Sequence, residues 1–594
     1  MILIFLLYFS NGLTLLINLK MGGKGKKKRD TPESFKEKGN SAFNMRDFSR
    51  ALESYSKGLE LDPNHATLLT NRASVYIELH RYEDAITDSA KAIEVDPSWI
   101  KGYLRMALAL RELSRFHEAI DFVHRGLTIK PDFEELLILQ KGIEEDLAIE
   151  TALPLDHPER VKFDNLIKWL LDGGAQFPKL KLRFYSKDYR GVHSTTFIAK
   201  NETIVIIPRT HIITLEMAKA TPIGQKMVAA NLNLLSPKHS FLSSFILQEK
   251  AKEESWWKPY LDILPESYSN FPIFYTEEDK EWLTGSPFLD QVNEKIQDIE
   301  EDYNAIVEAV PEFAEFPLFE FSKIRMGVSS RIFGMQIDGN KTDGFVPLAD
   351  MLNHRRPRQT TWSYEDSKNG FVIEAMEDIE RGLEVMDSYG KKCNSRFLLN
   401  YGFIVRNNDA NEYPFKCKLR EDDPNLMTKR NLIDGSLSQT FRVQADEKEN
   451  IFSDFLGFLR FVELNDISIL PRIMEECQEE EQPGFKPRKI KPISLANERR
   501  VLQHVQKLAK NGIDLYPETL ESDAQILLRE DLTENQRNCV LMRQGEKQIL
   551  DWYFKFAEQA LALLDLERKD VKKAAKGSPY ESYLTHSIIP LLGK

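Results

Sequence analysis

Residues 346–403 decide the fold of this chain and read VPLADMLNHRRPRQTTWSYEDSKNGFVIEAMEDIERGLEVMDSYGKKCNSRFLLNYGF. The stretch contains two polar clusters: DMLNH at 350–354, and YG at 389–390, which is followed by YGF at 401–403. Between the clusters, TTWSYE and FVIEAM alternate around the turn signal KNG. Alternation on both sides of such a turn predicts a β-hairpin.

The segment after the hairpin, LEVMDSY, is predicted to be a strand that delivers Tyr389 to a turn at Gly390. The next segment, SRFLLNYGF, can form a helical turn that brings Tyr401 back beside Tyr389. Either cluster alone has an ordinary explanation, because an Asn-His pair is usually a turn or a cap. The two clusters in this order are a far more specific signal.

Together, the NH pair at 353–354 and the later YG…N…YGF pattern resemble the SET-domain protein methyltransferases. The resemblance is strongest to the branch containing the Rubisco large-subunit lysine methyltransferase and the actin-histidine methyltransferase. It implies a S-adenosylmethionine cofactor and methyl transfer to a protein substrate. Four scattered cysteines without metal-ligand spacing fit this branch, which lacks the zinc cluster of many other SET enzymes. No metal is expected.

The resemblance also implies roles for residues of the two clusters. Tyr389 matches the catalytic tyrosine, whose hydroxyl would orient the target nitrogen and favour its neutral form. Tyr401 matches a second tyrosine of the methyl-transfer channel. Asn353 and His354 are expected to hold the cofactor, and Asn394 to brace the chain crossing at the cofactor site.

Two further cofactor-binding residues are expected outside the clusters. Gly191 matches a glycine-rich turn of the family, although Tyr189 stands where the family has its first glycine. Arg331 matches an arginine near the cofactor carboxylate, where a guanidinium is chemically suitable. A structural salt bridge is an equally good interpretation of Arg331, and Asp350 is expected to be structural.

The target residue is predicted to be lysine. In the actin-histidine enzymes a tryptophan precedes the aspartate of the first cluster, and the final motif lacks its tyrosine. This chain has Ala349 and Tyr401 at those positions. Histidine remains the alternative target.

The N-terminal part of the chain repeats every 34 residues, which is the tetratricopeptide period. Small residues allow paired helices to approach closely, and proline ends the second helix of each pair. Three series show the step: Gly39, Ala73 and Ala107; Ala51, Ala85 and Ala119; Pro63, Pro97 and Pro131.

Five polar residues of these repeats are expected to line one groove. Lysine and arginine can grip a C-terminal carboxylate and an acidic side chain, while asparagines orient hydrogen bonds. The set resembles the two-carboxylate clamp of chaperone-binding tetratricopeptide proteins and implies the EEVD tail of heat-shock chaperones as ligand. A solvated surface without a ligand is the alternative. The five residues are Lys36, Asn40, Asn71, Lys101 and Arg105.

The 594 residues are long enough for several domains, and 29% charged and 42% hydrophobic residues are ordinary for globular protein. The net charge of −12 argues against a nucleic-acid binder. The predicted fold is multidomain α and α+β, in four parts. They are an apolar and basic leader (1–31), an α-solenoid of three tetratricopeptide repeats with a capping helix (32–150), a SET β-fold (156–415) with a helical insertion (about 211–320), and an all-α domain (416–594).

The last part resembles the Rubisco-methyltransferase substrate-binding domain, with YPETLESDAQILL as its most recognisable segment. It contains an acidic-then-basic loop at 475–492 that is expected to be solvated. In the insertion, Trp256 and Trp257 could suggest an aromatic cage for a cation. Core packing is the better prediction for both.

The leader leaves the location of the protein open. MILIFLLYFSNGLTLLINLK is apolar but interrupted by polar residues, and its positive charge follows it. A membrane anchor is one interpretation; a translation start at Met21 is another and is favoured, because the remaining sequence indicates a cytoplasmic protein. The membrane is an expected partner only if residues 1–20 are retained.

The sequence therefore predicts a S-adenosylmethionine-dependent protein-lysine N-methyltransferase linked by its repeats to EEVD-tailed chaperones. Two alternatives remain: a protein-histidine methyltransferase, and a non-catalytic chaperone adaptor.

Overall fold

The computed structural model describes residues 31–113, 115–151, 157–186, 189–433, 436–447, 450–476 and 485–592. These residues form two compact units. One contains the residues up to 154 together with Arg183–Arg190; the other contains 155–182 and the residues from Gly191 onward. The predicted leader, except residue 31, lies outside the described residues, as does 477–484 of the predicted solvated loop. No described helix is long and apolar enough to cross a membrane.

The first unit consists of antiparallel helix pairs, as the 34-residue period predicts. Glycine is needed in the first pair, because a Cβ on Gly39 would lie 2.3 Å from the Tyr55 ring. Ala73 and Ala107 are fully buried at the equivalent positions of the next pairs. The helices are α1 (Pro32–Asn44), α2 (Phe48–Leu61), α3 (Ala66–Glu78), α4 (Tyr82–Val95), α5 (Ile100–Glu112), α6 (Phe116–Ile129) and the capping helix α7 (Glu134–Thr151).

One helix and a set of small antiparallel sheets follow the repeats in the chain. Two sheets have three strands, in the orders β3-β8-β7 and β4-β6-β5. The predicted hairpin is confirmed as β7 and β8, joined through Asn369 in the left-handed conformation (φ 45°). The elements are α8 (Pro158–Asp172), β1 (Leu180–Phe184), β2 (Arg190–Ser194), β3 (Thr203–Pro208), β4 (Ile213–Thr214), β5 (Ile332–Ile337), β6 (Asn340–Phe345), β7 (Thr360–Glu365) and β8 (Gly370–Ala375).

A helical insertion separates β4 from β5, as predicted. Buried Asp302 organises it by accepting hydrogen bonds from the Leu235 N–H at 2.6 Å and the Ser240 hydroxyl at 2.7 Å. Trp257 is buried as expected, but Trp256 is 59% exposed, so core packing is the wrong prediction for Trp256. The helices are α9 (Leu215–Ala220), α10 (Pro222–Ala229), α11 (Pro237–Lys250), α12 (Lys258–Leu261), α13 (Glu277–Glu281), α14 (Phe288–Ala309) and α15 (Leu318–Arg331).

The C-terminal part is helical with one two-stranded sheet at its start. Its apolar core joins the sheet to the long helices α20 and α22. The elements are α16 (Asn394–Tyr401), β9 (Tyr413–Lys418), α17 (Leu426–Asn431), β10 (Ser438–Val443), α18 (Asn450–Val462), α19 (Leu470–Glu476), α20 (Leu495–Ile513), α21 (Leu520–Ile526), α22 (Glu534–Leu563), α23 (Arg568–Ala575) and α24 (Glu581–Tyr583).

A buried ion pair crosses this core. Glu498 is fully buried on α20, pairs with Arg460 of α18, and accepts a 2.8 Å hydrogen bond from the Tyr583 hydroxyl. Removing one member of such a pair leaves the other charge buried without its partner.

We expect Glu498→Ala to lower the free energy of unfolding by about 3–5 kcal/mol, because Arg460 then keeps a buried, uncompensated charge. The neighbouring pair of Arg499 and Asp565 is exposed, so Arg499→Ala is the matched control and should cost about 0–1 kcal/mol. Urea unfolding of both variants measures the difference. Equal midpoints would contradict a structural role for the Glu498 pair.

Candidate functional site

The two polar clusters of the central stretch come together in the second unit. The rings of Tyr389 and Tyr401 stack with centroids 4.9 Å apart, because α16 turns the chain back as predicted. On the other side of Tyr389, the His354 ring stacks at 5.1 Å. Phe397 and Phe403 pack around these rings. The sequence motif therefore folds into one aromatic cluster.

The segment before Tyr389 differs from the prediction. LEVMDSY does not form a regular strand; it is an extended segment held by isolated bridges. The Asp387 N–H donates to the Asn353 carbonyl at 2.9 Å, and the Val385 N–H donates to the Val192 carbonyl at 2.7 Å. These bonds alternate between two partners, so neither side builds a continuous ladder.

Tyr389 is fixed by both its backbone and its hydroxyl. Its N–H donates to His354 Nδ1 at 3.0 Å, and its hydroxyl donates to the Leu352 carbonyl at 2.9 Å. Burial raises the pKa of Tyr389, so the side chain remains a phenol at neutral pH. The hydroxyl can accept a hydrogen bond and orient a nitrogen, but it is not a phenolate base.

His354 is neutral in this environment. Burial, followed by the charges of Arg356 and Lys392, lowers its pKa to about 4. Because Nδ1 accepts from Tyr389, the proton of the neutral ring lies on Nε2, which is buried without a hydrogen-bond partner among the described residues. An unsatisfied buried donor is a position where a ligand can supply the acceptor.

A buried ion pair forms the other side of the cluster. Arg331 Nη1 lies 3.1 Å from Asp350 Oδ2, and Tyr260 of the insertion donates to the same oxygen at 2.8 Å. Burial opposes the charged form of Arg331, but Asp350 outweighs burial and raises its pKa. The ion pair supports a structural role for Arg331. Arg331 Nε and Asp350 Oδ1 are also buried without hydrogen-bond partners in the described chain, which supports a role in binding the cofactor.

Asp350 is carried by a short turn with a strained entry. Leu348 precedes the turn with φ 72°, a conformation that costs a residue other than glycine of the order of 1–2 kcal/mol. The Asp350 N–H donates to the Val346 carbonyl at 3.2 Å and closes the turn. Buried strain of this kind clusters at functional sites.

The remaining predicted cofactor residues lie around this centre. Asn353 donates to the Glu384 carboxylate at 2.7 Å, and burial raises the pKa of Glu384. Asn394 begins α16 and uses its side chain to hold the chain at Val405 and Asn408, with bonds of 3.0–3.2 Å. Gly191 is buried in β2.

Three residues that contact the site escaped the sequence analysis: Tyr260, Glu384 and Lys392. Tyr260 is separated from Asp350 by 90 residues of chain, so no local pattern could connect them. Lys392 lies inside the second cluster, and its charge next to two tyrosines was the only available signal. Asp350 was expected to be structural and is part of the ion pair.

In the first unit, the five groove residues all lie on the first helix of a pair. Lys36 and Asn40 are on α1, Asn71 is on α3, and Lys101 and Arg105 are one turn apart on α5. Helix α3 packs between α1 and α5. The sequence set is therefore displayed on three adjacent helices.

The two asparagines of this set meet directly. Asn71 Nδ2 donates to Asn40 Oδ1 at 2.9 Å, and the Tyr55 hydroxyl donates to the same oxygen at 2.7 Å. Burial raises the pKa of Tyr55 to about 12, which preserves this donor. The bonds orient the asparagine amides, while Lys101 is exposed and Arg105 half-buried.

Family models match three regions of the chain. A SET domain model matches residues 189–390, a Rubisco LSMT substrate-binding model matches 420–550, and two tetratricopeptide models match 37–65 and 54–87. The chain is a SET methyltransferase with tetratricopeptide repeats. The predicted combination of these three kinds of domain, and the predicted fold class, are confirmed; the exact boundaries remain predictions.

Similar curated proteins and structures match most of this SET methyltransferase. Actin-histidine N-methyltransferase of Gallus gallus is 26% identical over 71% of this chain and 72% of its own length. The Homo sapiens protein of the same name is 24% identical over 75% of each. The fold is shared with the SET domain of LSMT bound to lysine and AdoHcy, at TM-score 0.57 and 21% identity, over 68% of this chain and 92% of that one.

The neutral state of His354 predicts a pH effect on the stability of this SET methyltransferase. An unfolded histidine takes up its proton below a pKa of about 6.5, whereas folded His354 does so only near 4. Stability is therefore lost as the pH falls from the first value through the second. We expect His354→Asn to lose less unfolding free energy than the wild type over this range. Urea midpoints at several pH values test it; parallel pH dependences would contradict the buried, neutral ring.

Proposed function

We propose that this chain is a S-adenosylmethionine-dependent protein-lysine N-methyltransferase. The observation that carries the proposal is the stacked pair of Tyr389 and Tyr401 beside neutral His354, next to a buried ion pair with unused polar atoms. These residues together offer donors, acceptors and an aromatic wall in one place. They also fit the cofactor that the SET family uses.

The unused polar atoms match the polar groups of S-adenosylmethionine. Arg331 Nε can donate to its carboxylate, and Asp350 Oδ1 can accept from its ammonium or hydroxyl groups. His354 Nε2–H can donate to a ring nitrogen of the adenine. Bound S-adenosylmethionine supplies an electrophilic methyl group on a sulfonium.

The protein itself must orient the nucleophile and exclude water. Tyr389 holds its hydroxyl through the Leu352 carbonyl, and as a phenol it can accept a hydrogen bond from the target nitrogen. Tyr401 closes the other face of the channel with its ring. A positive sulfonium and an aromatic face attract one another, which favours this wall.

Lysine is the proposed target because of two positions. Ala349 is buried with a small side chain at the start of the Asp350 turn, so no tryptophan narrows the site there. Tyr401 is present and stacked on Tyr389. Both features separate this chain from the actin-histidine pattern.

Histidine is the second candidate target, favoured by the activity named for the relatives at 24–26% identity. An imidazole is flat and could lie against the same aromatic wall. A non-catalytic adaptor is a weaker candidate, because a chain released from catalysis need not keep both channel tyrosines.

We also propose that the groove of the first unit binds the EEVD tail of heat-shock chaperones, so that the enzyme meets chaperones or their clients in the cytoplasm. Lys101 and Arg105 supply cations for two carboxylates, and the fixed amides of Asn40 and Asn71 supply donors. Chaperone and substrate can therefore bind different units of one chain.

The catalytic prediction concerns Tyr389. Replacing it by phenylalanine removes the hydroxyl that orients the target nitrogen, so we expect Tyr389→Phe to lower the methyl-transfer rate about 100-fold or more. Transfer of labelled methyl groups from S-adenosylmethionine into total cell lysate measures the rate, and mass spectrometry of the labelled proteins distinguishes lysine from histidine.

The control for this experiment is Tyr303→Phe. Tyr303 also loses a hydroxyl bonded to a backbone carbonyl, but it lies on α14 of the insertion. Its rate should stay near that of the wild type. If no labelled protein depends on Tyr389, although the chain binds the cofactor, the non-catalytic adaptor is favoured.

The clamp prediction concerns the two cations of α5. We expect Lys101→Ala combined with Arg105→Ala to weaken binding of an EEVD-ending peptide about 100-fold or more, because two charge-assisted contacts of about 1.5–3 kcal/mol each are lost. Lys57→Ala combined with Lys91→Ala removes the same charge from the second helices α2 and α4 and serves as control. Fluorescence anisotropy of a labelled peptide measures both, and equal affinities would rule out the clamp.

A further inference from the structure

One lysine of the chain lies against the two channel tyrosines. Lys392 Nζ donates a hydrogen bond to the Tyr389 backbone carbonyl and lies 5.6 Å from the centroid of the Tyr401 ring. The side chain is half-buried. An ammonium is thus held beside the proposed methyl-transfer channel by the same residues that form it.

The turn between Tyr389 and Lys392 accommodates this arrangement. Gly390 has φ 94°, which other residues rarely adopt, and a Cβ on it would lie 3.3 Å from Lys392 Nζ. A side chain at this position would therefore press on the ammonium. Glycine at position 390 therefore permits both the turn and the position of the Lys392 ammonium.

The charge of Lys392 acts on the neighbouring ionisable group. It contributes to the lowered pKa of His354, after burial and Arg356. Burial, followed by Arg396, also lowers the pKa of Lys392 itself. Additional positive charge is therefore disfavoured around these rings.

The other charges facing the tyrosines are largely matched. Arg331 is paired with Asp350 at 3.1 Å and Arg356 with Asp409 at 2.7 Å. Lys392, in contrast, bonds to a neutral carbonyl, and the described residues place no carboxylate within ion-pair distance of it. The groups facing the pair of tyrosines are Lys392, Arg396 of α16, Arg331 of α15, Asp350 and His354 of the first cluster, Arg356, and Asp387 of the extended segment.

We propose that Lys392 is a positioning residue for methyl transfer, whose ammonium disfavours the protonated form of an incoming lysine amine at the Tyr389–Tyr401 pair. This inference rests on the proposed lysine methyltransferase function. A free lysine has a pKa of about 10.4, so only about one amine in 2,500 is neutral near pH 7. A nearby fixed cation raises that fraction.

The chemistry requires the neutral amine. Its ammonium first loses a proton to solvent, and the freed lone pair then forms the new nitrogen–carbon bond as the methyl–sulfur bond breaks. The electron pair of the broken bond stays on sulfur. Lys392 takes no part in bond making; it changes how much of the bound amine can react.

The test is the pH dependence of methyl transfer. Initial rates of labelled methyl transfer into total lysate are measured from about pH 6.5 to about 9.5, where the rising limb reports deprotonation. We expect Lys392→Met to move this rising limb to higher pH by about 0.5–1 pH unit, so that the rate near pH 7 falls about 3- to 10-fold. The wild-type and variant rates should converge at high pH, where the amine is neutral in both.

Two variants separate charge from structure. Lys392→Arg keeps the positive charge, so its rising limb should lie at the same pH as that of the wild type. Lys391→Met removes the charge of the exposed neighbour and should not move the limb either. An unmoved limb in Lys392→Met overturns the proposal. An equal loss of rate at every pH overturns it too, because it indicates a structural role.

A second measurement needs neither cofactor nor substrate. The ring of His354, labelled with ¹³C, is titrated by NMR in the full chain, where its pKa is about 4. Lys392→Met should raise this pKa and Lys392→Arg should not; an unchanged pKa overturns the proposed field of Lys392. If the wild type transfers no methyl groups to lysine, the proposed function fails, and this titration still decides whether Lys392 acts on the site.

Discussion

The buried pair of Arg331 and Asp350 is the interaction on which the candidate site of this SET methyltransferase depends. It joins the end of α15 to the turn that carries the first motif. Tyr260, which belongs to the insertion, donates a hydrogen bond to the same carboxylate. A buried carboxylate is expensive unless it is paired and hydrogen-bonded, so these three parts of the chain must assemble together. The helical insertion therefore contributes directly to the candidate site through Tyr260.

The same pair sets the position of the aromatic cluster. The turn at Asp350 continues into Asn353 and His354, whose backbone and ring hold the extended segment at Asp387 and Tyr389. Helix α16 then returns Tyr401 to Tyr389. Each polar bond in this series positions the next, which allows a site of neutral rings to be built around one ion pair.

The site uses burial to keep its groups uncharged. Burial raises the pKa of Tyr389 and of Tyr401 and lowers that of His354, so the phenols and the imidazole stay neutral near pH 7. Neutral groups do not compete electrostatically with a sulfonium or an incoming amine. The fixed cation of Lys392 lies at the edge of this neutral region.

Much of this arrangement could be predicted from the sequence, because its signals are local. The 34-residue period identifies helix pairs, since each small residue lies where two helices approach, as Gly39 and Tyr55 show. The hairpin and the return of Tyr401 also follow from short-range alternation and helix formation. The strand expected before Tyr389 did not form, because its backbone groups bond alternately to Val192 and Asn353, which are far apart in the chain.

By itself, the sequence determined the order of the domains, the motif residues and the period of the repeats. Only the tertiary structure decided which distant residues meet and which are exposed: Tyr260 completes the Asp350 pair, and Trp256 is exposed beside buried Trp257. The physical reason is that periodicity reports which face of an element is apolar, whereas the partner of a buried charge or hydroxyl comes from a distant part of the chain. Such pairings appear only when the elements pack.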